Sequence, residues 1–82
     1  MEEELFSVQV YPNPSSGLFH IRSDSDIAGV QLFSAAGEKI AIDIRNESDK
    51  VWILNGEDLN AGVFFIQLLV GEQKLVKKLI RI

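Results

Sequence analysis

The side chains in this sequence that could do chemistry are one histidine, a pair of aspartates and a run of lysines. His20 is the only histidine. It lies between Phe19 and Ile21, which a strand would turn inward, so its own ring points outward. A histidine-based metal site needs further ligands at fitting spacing, and none accompany it. No Ser–His–acid arrangement is suggested, and the absence of cysteine removes Cys–His catalysis, thiolate metal sites and disulfides together. Asp24 and Asp26 flank Ser25 like half of a calcium loop, but Ala35 stands where an EF-hand has its glutamate. A plain polar loop and a weak inter-loop calcium site both fit those aspartates, and the first needs fewer assumptions. Gly29, Gly37, Gly56, Gly62 and Gly71 are not grouped as a phosphate loop. The expectation is a protein with no catalytic residues, no metal and no cofactor.

The lysines are more informative. Residues 73–82 hold Lys74, Lys77, Lys78 and Arg81 without an acid, whereas residues 1–72 hold all twelve acids and four bases. The net charge of −4 argues against nucleic acid, which is bound through many phosphate-neutralising cations. The basic end suits an acidic partner; it equally suits an edge strand whose lysines discourage sheet-to-sheet association.

The elements that must position these groups read as strands. Apolar residues alternate through Leu5–Tyr11, Leu18–Ser23, Ala28–Phe33 and Glu38–Ile44. Val51–Leu54 is a short fifth run. Val63–Val70 is almost continuously apolar, as in a central strand covered on both sides, and Lys74–Ile82 is the seventh run. Turn signals separate them. Pro12 and Pro14 end the first run, and Gly17 offers a positive φ. Ser34–Gly37 suits a hairpin with Gly37 left-handed. Arg45–Lys50 reads as a polar loop, Asn55-Gly56 as a tight turn, and Glu57-Asp58 as the cap of a short turn.

Seven short strands at roughly ten-residue spacing imply an all-β fold, an immunoglobulin-like antiparallel β-sandwich of about seven strands. One domain covers residues 5–82, after a linker remnant at residues 1–4. Phe6, Phe19, Phe33, Trp52 and one of Phe64 and Phe65 are the expected bulk of its core. A chain of 82 residues buries only roughly 60–65% of its unfolded surface, so the stability margin is thin. No apolar run approaches the roughly 20 residues that span a bilayer.

Three segments resemble a known family. Tyr11-Pro12-Asn13-Pro14-Ser15-Ser16-Gly17 looks like the YPNP-x-x-G signature of type A C-terminal sorting domains of the type IX (Por) secretion system. Leu59-Asn60-Ala61-Gly62-Val63-Phe64-Phe65 is similar to the L-x-x-G-V-Y-F pattern of that family, with Phe64 where tyrosine is common. Lys74–Ile82 is similar to its lysine-bearing terminal strand. The resemblance implies a secretion signal of Bacteroidota cargo proteins, recognised by the outer-membrane translocon and its shuttle proteins. It also implies removal from an N-terminal cargo domain by a sortase-like surface protease, with delivery through the periplasm to the outer membrane and cell surface. On this resemblance the recognition motif comprises Pro12, Asn13, Pro14, Gly17, Gly62, Phe64, Lys77 and Lys78. Strand addition at the last run gives either a receptor contact or edge-strand self-association. A carbohydrate-binding or adhesive sandwich is the alternative; it needs exposed aromatics, for which Tyr11 and Trp52 are the candidates.

Overall fold

The computed structural model describes residues 7–82. Leu5, Phe6 and the linker read at residues 1–4 lie outside them. The described residues form eight strands: β1 Val8–Tyr11, β2 Leu18–Ser23, β3 Ile27–Ser34, β4 Lys39–Ile40, β5 Asp43–Ser48, β6 Val51–Asn55, β7 Gly62–Val70 and β8 Gln73–Arg81. They make two antiparallel sheets, β1-β2-β6-β5 and β4-β3-β7-β8. This is the strand distribution of an immunoglobulin-like sandwich, with one short extra strand in the second sheet.

Period-2 alternation places the core between the layers. Phe19, Ile21 and Leu54 enter it from the first sheet. Ile27, Leu32, Ile66, Leu68, Val70 and Leu79 enter it from the second. The core is more aliphatic than the sequence suggests. Phe19 is its only fully buried aromatic among the described residues; Trp52 and Phe64 pack at its margin. Phe33 and Phe65 are cross-strand partners on the outer face of the second sheet instead. Phe33 follows the core residue Leu32 and Phe65 precedes the core residue Ile66, so parity turns both away from the core.

The run Glu38–Ile44 does not stay in one sheet. Lys39 and Ile40 pair with Phe33 and Leu32, then the chain crosses and Asp43 pairs with Asn55 of the other layer. The new strand continues to Ser48, through residues that read as loop. Ile40, Ile42 and Ile44 all pack against the core on either side of the crossing. Side-chain alternation is therefore uninterrupted while the backbone changes partner. β5 is also an edge, which tolerates the polar Arg45–Ser48.

β7 is central in its sheet, but only one of its faces is covered. Ile66, Leu68 and Val70 are inaccessible, while Val63 and Leu69 are 40% and 39% exposed. Two layers bury one face of each sheet, so the apolar outer residues of β7 remain at the surface.

Turns follow local chemistry. Gly37 has φ 89° and Gly71 φ 60°, as tight hairpin turns require. Asn55-Gly56 makes the tight bend that its residue types suggest, as an Asx turn. Asn55 Oδ1 accepts the Glu57 N–H at 3.0 Å, so Asn55, rather than Glu57 or Asp58, shapes the bend. Asp24 Oδ1 accepts the Ser7 N–H at 3.0 Å.

Candidate functional site: a proline corner seated on the last strand

After Tyr11 the chain cannot continue as a ladder, because Pro12 and Pro14 have no N–H to donate. Both proline peptide bonds, Tyr11–Pro12 and Asn13–Pro14, are cis. The segment leaves the first sheet, reaches the edge of the second, and makes a single parallel bridge between Ser15 and Arg81 before returning as β2.

The Asn13 side chain reaches across the sandwich. Its Nδ2 donates to the Lys78 carbonyl at 2.9 Å, and its Oδ1 accepts the Ile80 N–H at 2.9 Å. A side-chain amide carries one donor and one acceptor side, so it can occupy a strand edge as a peptide unit does. Ser15 continues the seam. Its N–H donates to the Ile80 carbonyl and its carbonyl accepts the Ile82 N–H, both at 3.0 Å. The buried Ser15 hydroxyl donates to the Leu18 carbonyl at 2.8 Å and accepts the Gly17 N–H at 3.1 Å. The backbone groups met here belong to Lys78, Ile80 and Ile82. Alternation therefore turns the peptide groups of Lys74 and Val76 toward the same side of β8. Among the described residues no strand pairs with that side. The YPNPS segment thus covers the end of the β8 edge and stops short of Lys74–Val76.

Arg81 closes the corner from the opposite direction. Nε donates to the Gly56 carbonyl at 2.8 Å and Nη2 to the Glu57 carbonyl at 3.0 Å, while Nη1 donates to the Ile82 carbonyl. The planar guanidinium ties the loop after β6, from the first sheet, to the end of β8, from the second.

Of the two motif glycines, Gly17 differs from the sequence expectation. Gly17 does not have a positive φ. It lies against Gly56, whose N–H donates to the Gly17 carbonyl at 3.0 Å. Gly62 has φ 152°, a conformation that is essentially glycine-only, with open space where a Cβ would be. It serves loop geometry, not close approach. Phe64 packs against the core, opposite Leu79.

The lysines separate by parity. Lys77 pairs with the buried Ile66 and is half-buried; Lys78 pairs with Phe65 and is exposed. The structure therefore brings Pro12, Asn13, Pro14 and Gly17 together with the end of β8. His20 takes no part; it is stacked on Tyr11 with ring centroids 5.3 Å apart.

Sequence reasoning missed Ser15, Gly56 and Arg81. Ser15 occupies a variable position of the motif, and nothing in its residue type signals burial. Gly56 read as a local turn. Arg81 read as one more terminal cation.

Losing the Asn13 amide should be modest and specific. Asn13→Ala is expected to lower unfolding free energy by about 1–2 kcal/mol, since water can reach the two freed backbone groups. Urea unfolding measures the loss, and an unchanged midpoint refutes the seam.

The model of the secretion system C-terminal sorting domain family matches residues 9–82, from β1 through the last strand. The chain belongs to this family. No curated protein matches it individually. The sorting domain is accordingly a C-terminal signal for type IX secretion, and it directs export to the cell surface or secretion through that machinery.

Proposed function

We propose that the sorting domain is read as a folded unit at the proline corner and the adjoining β8, and that it performs no catalysis. Pro12, Asn13, Pro14 and Gly17 give the corner its shape, Gly62 and Phe64 set the strand beside β8, and Lys77 and Lys78 supply charge next to it. The outer-membrane translocon and its shuttle proteins are the receptors. A sortase-like surface protease then cuts N-terminal to the domain and separates it from its cargo at the surface of a Gram-negative cell. The observation that carries this reading is the hydrogen-bonded seam between the YPNPS segment and Lys78–Ile82, which makes two separate family motifs one surface. A loop fixed in advance loses little entropy when it is bound.

A reporter bearing this domain, held in the periplasm of a type IX-competent strain, tests the proposal. Surface display is expected for the parent and its loss for Lys77→Ala with Lys78→Ala. Lys78 is exposed, so Lys78→Ala alone should keep its stability within about 0.5 kcal/mol, as surface changes usually do; Lys77 is half-buried, so urea unfolding of the double variant is measured before its display is read. Normal display of the variant removes the lysines from recognition; periplasmic retention of the folded parent overturns the whole reading.

A further inference from the structure

We infer that the outer face of the β4-β3-β7-β8 sheet is a docking surface for a protein whose contact region is acidic at its margin and aliphatic or aromatic at its centre. The inference rests on the reading that the domain works by being bound, and it names a surface outside the proline corner.

Register lays the face out in rows. Lys39, Phe33, Phe65 and Lys78 are successive cross-strand partners; so are Gln31, Gln67 and Val76, and so are Gly29, Leu69 and Lys74. Val76 is 60% exposed; Leu69 is in the next row and Val63 two rows away on the same face, beyond Phe65 and Lys78, and both are well exposed. Gly29 has nothing within 4 Å of where a Cβ would stand. The resulting hollow of about 280 Å³ is lined by Gly29, Gln31, Gln67, Leu69 and Lys74. Apolar side chains gathered on one sheet face, here in the rows on either side of the Gln31–Gln67 pair, are a feature of interaction surfaces rather than of ordinary solvated ones.

Charge selects the occupant. Lys39 and Lys78 end one row and Lys74 ends another, and no Asp or Glu occupies a strand position on this face among the described residues. The chain as a whole is acidic, so this is a local reversal of sign. A second copy docking through the same face would set lysines against lysines, which costs affinity. A bilayer is a poor occupant too. The Gln31–Gln67 pair lies in the middle of the face, and its amides need directional partners that hydrocarbon does not offer. A protein surface supplies those partners and the acidic rim together.

The test places a photo-crosslinking phenylalanine derivative at position 76 in a cargo–domain fusion, with position 53 on the opposite sheet as control. Irradiation during export in a type IX-competent strain is followed by mass spectrometry of the adducts. Position 76 is expected to yield an adduct with an envelope protein through a segment rich in Asp and Glu, and position 53 to yield none with that protein. Lys39→Glu with Lys74→Glu should lower the adduct about tenfold. Leu69→Ser, a second variant on the same face, should lower it several-fold while thermal unfolding stays near the parent. Adducts with lipid or with a second copy, a yield indifferent to both changes, or no protein adduct in a fusion that is exported would each overturn the docking face. Failure of the fusion to be exported at all strikes the sorting reading instead.

Discussion

Deletion of residues 77–82 is expected to unfold the domain, not merely to trim its edge. The deleted segment contains Leu79, which is inaccessible to solvent in the core. Truncating a single buried leucine to alanine costs about 2–5 kcal/mol. A domain of this size has about 4–12 kcal/mol of stability in total. The deletion also strips β7 of its partner from Ile66 to Gly62. It leaves Asn13 and Ser15 without the backbone they bond, and removes the Arg81 clamp on Gly56 and Glu57. These losses share one corner, so they compound. Circular dichroism in urea should show no cooperative transition, and a protease should degrade the truncated chain rapidly. A truncated domain that still unfolds cooperatively within about 1 kcal/mol of the parent would falsify this account of β8. Loss of export on such a truncation is then a folding result, and only the two-lysine variant reports on recognition.

Gly56→Ala is expected to destabilise by about 1–3 kcal/mol, the usual range for overpacking a close-packed site. A Cβ there would sit 3.1 Å from the Gly17 carbonyl oxygen, 3.2 Å from Leu59 Cδ1 and 3.3 Å from Phe19 Cε2. One neighbour is backbone held by a hydrogen bond, and another is a fully buried ring, so neither gives way cheaply. Gly17→Ala is the control. Its added Cβ would meet only Glu57 Cγ, at 3.3 Å, on an exposed and flexible side chain. Because Gly17 does not have a positive φ, alanine there restricts the unfolded chain and is expected to be neutral or stabilising by up to about 1 kcal/mol. Thermal or urea unfolding of the pair decides the matter. Equal destabilisation would mean that the close approach does not distinguish the two positions. A Gly17→Ala domain that is stable yet poorly exported would place this motif glycine in recognition rather than in folding.

The face of the second sheet shows where sequence reasoning ran short. Val63–Val70 is so apolar that burial on both sides is the natural reading, and the structure covers only one. The residues read as surplus core, Phe65 and Leu69 with Phe33 across from them, are the same ones that build the docking face. An apolar residue in a strand carries no mark of whether a second layer lies above it. The crossing between β4 and β5 was hidden for a related reason. Ile40, Ile42 and Ile44 keep one inward rhythm, and hydrogen-bond partners leave no trace in side-chain type.

Most of the strands, the inward residues of those that alternate cleanly, the glycine turn at Gly37 and the family were legible in the sequence, whereas the Arg45–Ser48 part of β5 and the open face of β7 were not. Each legible feature depends on local alternation, local backbone preference or a contiguous motif. Folding alone reveals that Asn13 and Ser15 bond the end of β8, that Arg81 ties the two sheets together, and that Gly56 packs on Gly17. Those contacts join residues from 24 to 67 positions apart. They depend on where two layers meet in space, which no window along the chain contains.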